Sequence, residues 1–235
     1  KKEAMKKLGL IGGLSWSSTA RYYELINRAV QRELGGLHSA TLLIDSLDFA
    51  EVAGCASSND WDCAAGHMVG AAKRLEAVGA EAIVICANSL HKVVPQVESM
   101  VGIPIINIID EIGGKLKADK VKSVALVGTS NVMMDRDYRQ QLVSAGGVSL
   151  LPPDAELATR IDRLVYEELA AGKITRDAER FMKSELTDIA KEEVQAAVLA
   201  CTELDLIVDV NANVLPIYDS TAIHAEAGAR FVLGD

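Results

Sequence analysis

Ala197-Val198-Leu199-Ala200-Cys201-Thr202-Glu203-Leu204 is an apolar run that ends in a thiol, a hydroxyl and a carboxylate. It reads as a buried parallel strand whose carboxyl end hands three polar side chains to a crevice. An earlier stretch, Ala82-Ile83-Val84-Ile85-Cys86-Ala87-Asn88-Ser89, is built the same way. With Leu199 set on Ile85 the two align without gaps, so Ala87 falls on Cys201, Asn88 on Thr202 and Ser89 on Glu203. Cys86 lies one place short of the cysteine position. Side chains alternate along a strand, so Cys86 is expected to point away from where Cys201 points.

Two further markers repeat in the same order. Strand-glycine-hydroxyl occurs at Leu8 to Ser15 and again at Val124 to Ser130. A Pro-Ile strand start occurs at Pro104 and again at Pro216. Gly12 to Gly128, Ala87 to Cys201 and Pro104 to Pro216 are 116, 114 and 112 residues apart. The chain is therefore expected to be two similar α/β lobes, each a three-layer unit with a parallel sheet. Residues 5–110 with 214–235 form the first lobe, and residues 111–213 form the second. A pseudo-twofold would bring the two strand ends toward one active-site crevice.

The spacing predicts strands over 8–11, 40–44, 83–86, 104–109, 124–127, 148–151 and 197–200. Helices are predicted over 20–33, opened by a serine or threonine cap, and from Asp60 or Asp62 through Ala77. Others are predicted over 90–100, broken by Pro95, and over 135–145, 161–169, 175–193 and 221–233. Lys1 to Ala4 are set aside from fold reasoning.

At 235 residues, 49% apolar and 24% charged, the chain has the composition of a globular protein. Its net charge of −9 argues against nucleic acid or an anionic membrane as partner. No apolar run approaches a membrane span, and no signal peptide is read. Cys55, Cys63, Cys86 and Cys201 contain no C-x-x-C pair, and no histidine is read at metal-ligand spacing from one. The expectation is free thiols in a reducing cytosol, packing roles for Cys55 and Cys63, and no metal. Gly9-Leu10-Ile11-Gly12-Gly13 lacks the G-x-G of a dinucleotide site, and its glycines suit close approach of a small ligand. Lys92, Lys173 and Lys183 show no Schiff-base context, so no cofactor is expected.

Cys201 is the leading candidate for chemistry. A strand end before a helix start would lower a thiol pKa, and Thr202 and Glu203 add donors and acceptors for a zwitterionic substrate. Asn88 and Ser89 serve as helix caps, as carboxylate ligands, or both. His91 is either a site residue or a capped surface histidine. Asp48, Glu168 and His224 are polar residues that read as structural.

At these residues the chain resembles the cofactor-independent aspartate/glutamate racemase superfamily, in its amino-acid racemase branch. The resemblance rests on Leu10-Ile11-Gly12-Gly13-Leu14-Ser15-Trp16 with Ser18-Thr19 and Tyr22-Tyr23, and on Cys86-Ala87-Asn88-Ser89-Leu90-His91-Lys92-Val93. It rests equally on Ala200-Cys201-Thr202-Glu203-Leu204, and on Leu215 to Thr221 with Ile223-His224-Ala225. It implies a homodimeric, cytoplasmic isomerase acting on a small amino acid. Two acid/base residues, one from each lobe, would flank the substrate α-carbon. Cys201 would be the second-lobe acid/base. Asn88, Ser89 and Thr202 would hold the α-carboxylate, and Leu14, Ser15 and Thr129 would line the pocket. The sequence departs from the family at Ala87, where relatives carry cysteine or threonine, and at Val132 and Met133-Met134 after the Gly-Thr turn. The departures leave three readings: a racemase with an altered first face, a one-sided lyase, decarboxylase or isomerase of a small carboxylate, and a non-catalytic amino-acid-binding relative.

Overall fold

The computed structural model describes residues 4–235; the lysine pair at the start lies outside the described residues. Strands and helices alternate as the spacing predicts. In chain order they are β1 (Leu8–Gly12), α1 (Trp16–Leu34), β2 (Leu42–Ser46), α2 (Phe49–Ser57), α3 (Trp61–Ala77), β3 (Ala82–Ile85), α4 (Val94–Glu98) and α5 (Ile108–Ala118). Then come β4 (Ser123–Val127), α6 (Ser130–Met133), α7 (Arg136–Gly146), β5 (Ser149–Leu150), α8 (Ala155–Arg163), α9 (Arg176–Ile189), β6 (Ala196–Leu199), β7 (Ile217–Asp219) and α10 (Ser220–Leu233).

The chain divides into two compact units, residues 1–107 with 224–235 and residues 108–223. The first unit holds a parallel sheet in the order β2-β1-β3. Strand alternation sorts its side chains onto two layers. Ile11, Ile83, Ile85 and Ala87 join the α2, α3 and α4 layer. Leu8, Leu10, Ala82, Val84 and Cys86 join Tyr22, Ile26 and Val30 of α1 and Ala225, Ala229 and Val232 of α10.

The second unit holds a parallel sheet in the order β5-β4-β6-β7. Ala125, Val127, Ala197, Leu199 and Cys201 pack with α8 and α9. Val124, Leu126, Ala196, Val198 and Ala200 pack with α5 and α7. Both faces of each sheet are covered at its centre, which is why β1, β3 and β6 are buried along their whole length and carry no polar side chain, whereas the edge strands β2 and β5 are partly exposed and carry polar residues.

Several local expectations are corrected. Residues 49–57 form helix α2, opened by Asp48, whose carboxylate accepts from the Ala50 amide at 3.0 Å. The helical segment is interrupted just before Pro95: a 3-10 turn, Ser89–Val93, gives way to α4, whose first turn holds Pro95, where its missing N–H costs nothing. Residues 104–106 form a strand end beside β3 rather than a full strand, with the Ile83 amide donating to the Pro104 carbonyl at 2.9 Å and the Ile106 amide to the Ile83 carbonyl at 2.8 Å. Only Ile105 bridges to Ile83, and Ile108 already starts α5, whose Ile108, Ile109, Ile112 and Leu116 recur at helical spacing on its buried side. Helix α1 begins at Trp16, and Ser15 at its N-cap makes no side-chain capping bond.

Cys55 and Cys63 are not free thiols. They form a disulfide joining α2 to α3, with Cα atoms 5.6 Å apart. The turn between the helices brings them together: the Asp60 amide donates to the Cys55 carbonyl at 2.9 Å, and the Asp60 carboxylate caps Cys63 at 2.9 Å. The free cysteines are Cys86 and Cys201. Two of the four cysteines expected as free thiols are thus paired.

Candidate functional site

The register of each sheet fixes which residues leave its carboxyl edge together. In the second unit Val127 pairs with Leu199, and the Ala200 amide donates to the Val127 carbonyl at 2.8 Å. In the first unit Ile11 pairs with Ile85, and the Cys86 amide donates to the Ile11 carbonyl at 3.0 Å. The two ladders correspond residue for residue, so Cys86 is the counterpart of Ala200, and Ala87 the counterpart of Cys201. The opposite layers of Cys86 and Ala87 repeat those of Ala200 and Cys201.

Cys201 follows β6 and is buried with Thr202 and Glu203. Its thiol donates to Glu203 Oε2 at 3.2 Å, and the Thr202 hydroxyl donates to the same oxygen at 2.9 Å. Burial pushes the thiol pKa well above its ordinary value, and the Glu203 carboxylate adds to the rise through its charge and its hydrogen bond. The backbone amides of Glu203 and Leu204 pull the other way and are outweighed. This corrects the expectation of a lowered pKa. The segment after Glu203 is a three-residue 3-10 turn, Leu204–Leu206, too short to supply a helix dipole. The resting group is a thiol, its proton held on sulfur by burial and by the neighbouring carboxylate.

Beside it, β4 ends at Gly128-Thr129. A Cβ on Gly128 would lie 2.8 Å from the Ala200 carbonyl oxygen, so only glycine lets the two strand ends run this close. Thr129 is buried and precedes α6. Ser130 is tied through its amide, at 2.8 Å, and its hydroxyl to Asp162 of α8. Helix α8 continues as a π-helical turn, Leu164–Glu168, that carries Tyr166. Burial raises the Tyr166 phenol to about 12; Cys201 when ionised and the charges of Asp162 and Glu203 add to the rise, and a bond with Asn131 opposes it. Tyr166 remains 48% exposed. Tyr166 thus feels Cys201, Asp162 and Glu203 and bonds Asn131, and none of Asn131, Asp162 and Tyr166 was singled out in the sequence. The only readable signal was the polar Ser130-Asn131 pair just past a strand end.

In the first unit, β1 ends at Gly12-Gly13. Gly13 has φ +81°, a Cβ there would sit 2.1 Å from the Leu47 carbonyl oxygen, and its amide donates to Thr19 Oγ1 at 2.8 Å. Leu14 and Ser15 are buried, with Ser15 Oγ 2.9 Å from Ser17 Oγ and 3.2 Å from Ser18 Oγ. Ala87 and Asn88 are buried after β3, and Ser89 is half-buried. A 3-10 turn, Ser89–Val93, follows; the Asn88 side chain makes no capping bond to it. The His91 ring lies 3.2 Å from the Asn88 carbonyl oxygen, a buried, locally bonded histidine.

Cys86 is fully buried, and burial raises its thiol pKa, so it is an inert core residue. His224 is equally structural: Tyr22 Oη is 2.8 Å from Nδ1 and the Ile106 carbonyl oxygen is 2.7 Å from Nε2. Because that carbonyl can only accept, Nε2 carries the proton and Tyr22 donates to Nδ1. Glu168 accepts from Thr175, the N-cap of α9. The second unit also has a cleft of about 490 Å³, lined by Glu179, Lys183, Asp205 and Asn213 among others; neither Cys201, Thr202 nor Glu203 lines it. No helix among the described residues is long and apolar enough to cross a membrane.

The model of the Asp/Glu/Hydantoin racemase family matches residues 11–228. A candidate Asp/Glu racemase from Yersinia pestis superposes with a TM-score of 0.88 at 37% identity, covering 97% of this chain and 100% of that one. An aspartate racemase homologue from Pyrococcus horikoshii OT3 superposes with a TM-score of 0.81 at 29% identity over 97% and 99% of the two chains. Picrophilus torridus aspartate racemase shares the fold, with a TM-score of 0.77 at 21% identity over 97% and 94%.

Proposed function

The chain belongs to the Asp/Glu/Hydantoin racemase family, and from that premise we propose that it exchanges the α-proton of aspartate or glutamate through Cys201. The observation that carries this reading is the buried Cys201 thiol bonded to the Glu203 carboxylate at a strand end. In this reading the Cys201 thiol gives up its proton to water, and the resulting thiolate takes the α-hydrogen. The S–H bond forms as the Cα–H bond breaks, and the electron pair left on the α-carbon spreads into the substrate carboxylate. Positioned hydroxyl, amide and backbone N–H donors stabilise that charge. Substrate-binding roles go to Leu14, Ser15, Asn88, Ser89, Thr129, Thr202 and Glu203.

Ala87 gives this account its particular form. Alanine holds no proton, so the thiol that removed the hydrogen is the group best able to return one. Return to the same face keeps the configuration. Exchange with retention is therefore faster than inversion, which draws its proton on the other face from water. The same reading carries a cytoplasmic homodimer, which light scattering in solution would check.

The test is nuclear magnetic resonance of each enantiomer of aspartate and glutamate in heavy water with the parent and Cys201→Ala. Deuterium entering the α-position with the parent, and no longer doing so with the variant, is the expected result. No exchange into any of the four, or equal exchange by the variant, defeats the reading.

A further inference from the structure

We propose that Cys55, Cys63 and His67, once the disulfide is reduced, bind one zinc(II) ion at the junction of α2 and α3. The ligand atoms of the three residues all lie within 4.8 Å of one another. Ligands on one tetrahedral zinc, at about 2.3 Å for sulfur and about 2.0 Å for nitrogen, stand about 3.5–4 Å apart. On reduction the two sulfurs must part from bonding distance to that separation while the His67 nitrogen moves in, and side-chain rotations at Cys55, Cys63 and His67 can supply both movements. Cys63 and His67 are four residues apart on α3 and so share one face of it.

The disulfide by itself has no use for the histidine. A bond between two sulfurs needs no third group, and His67 nonetheless brings a ring nitrogen to both of them. Two thiolates and an imidazole are the donor set of a thiophilic d10 ion, and a three-ligand set leaves a fourth position for water.

The ligands would not scatter when the sulfur bond opens, because the corner is held by other bonds. The Ser58 amide donates to the Gly54 carbonyl at 3.2 Å, Asn59 to Ala56 at 3.0 Å and Asp60 to Cys55 at 2.9 Å. The Ala64 amide donates to the Asp60 carbonyl at 3.2 Å, and the Asp60 carboxylate fixes the first turn of α3.

The two states exclude each other because they use the same sulfurs. A dithiol reductant gives two electrons and two protons to the disulfide, leaving two thiols here and a disulfide on the reductant. Zinc binding then releases both thiol protons to solvent and forms two Zn–S bonds and one Zn–N bond.

The test uses the full chain with Cys86→Ala and Cys201→Ala, so that Cys55 and Cys63 supply all its thiols. After reduction by a water-soluble phosphine, cobalt(II) is titrated as a spectroscopic probe without oxygen, and zinc(II) is then added. A thiolate-to-cobalt charge-transfer band that saturates at one equivalent and is displaced by zinc is expected. The oxidised protein and Cys63→Ser should lack the band. Even outer-shell partners of metal sites are worth tenfold or more, so His67→Ala and His67→Gln should each weaken binding by about tenfold or more. Circular dichroism of each variant checks that the fold persists. No band in the reduced protein, the same band in the oxidised protein, or binding by both His67 variants within about twofold of the parent overturns the proposal.

Discussion

Replacing His224 by glutamine should remove a specific share of the acid sensitivity of this protein. Burial lowers the His224 pKa from 6.5 to about 4, and the bond to the Ile106 carbonyl only partly opposes that. The folded state therefore holds the ring neutral where the unfolded chain would protonate it. Its contribution is complete above the unfolded value of 6.5 and is lost as pH falls through about 4. That gap corresponds to about 3 kcal/mol between the protonation states, of which about 2.5 kcal/mol is gone by about pH 4.5. Carboxylates titrate over the same range, so the difference between parent and variant is the informative quantity. Urea unfolding at about pH 7.5 and about pH 4.5 should show the parent losing about 2–3 kcal/mol more than His224→Gln. Glutamine keeps a donor for the Ile106 carbonyl, so the variant should fold. Equal losses for the two proteins would refute the buried neutral imidazole.

Three further outcomes follow from the geometry. Gly13→Ala forces a side chain into a left-handed backbone position against the Leu47 carbonyl, so urea unfolding should show a loss of about 1–3 kcal/mol or more; a loss below about 0.5 kcal/mol contradicts it. Glu203→Gln removes the charge that holds the Cys201 thiol protonated, so iodoacetamide should label Cys201 faster at neutral pH, as read by mass spectrometry; slower labelling would reverse the sign. Tyr166→Phe deletes a hydroxyl that bonds Asn131 and interacts with Cys201, so kcat/KM for α-proton exchange should fall several-fold, about 1 kcal/mol, with Tm unchanged; a lower Tm with unchanged kinetics would make the residue structural.

The two strand ends were legible in the sequence because a buried parallel strand is an unbroken apolar run, and two such runs aligned without gaps. The hydrogen bonds from Cys86 and Ala200 to the neighbouring strands give the same register. Asp60 was legible as a cap because its chemistry is local. Helix α5 was misread because Ile103 to Ile109 is rich in β-branched residues, whereas its burial pattern has helical period. Helix α2 was missed because Gly54 and Ser57-Ser58 carry turn composition. The direction of the Cys201 pKa was not legible at all. It depends on burial and on the Glu203 rotamer, which no spacing encodes. Tyr166 and Asp162 reach the Cys201 neighbourhood from α8 and the turn after it, far from β6 in the chain. The Cys63-x-x-x-His67 spacing, by contrast, is local and is legible in the sequence as one helix face.

In the proposed function Cys201 carries the proton and Ala87, its counterpart in the other sheet, cannot. The rate of appearance of the opposite enantiomer from aspartate and glutamate tests it most directly, for the parent, Ala87→Cys, Ala87→Thr and Cys86→Ser. A positioned acid/base group contributes about 10²–10⁴-fold, so Ala87→Cys should raise inversion by about that factor relative to α-proton exchange. Ala87→Thr should raise it less, because a hydroxyl is the poorer acid/base. Cys86→Ser should change it little, since Cys86 packs in the layer with Tyr22 and Ile26. Inversion abolished by Cys86→Ser and untouched by Ala87→Cys would contradict the account.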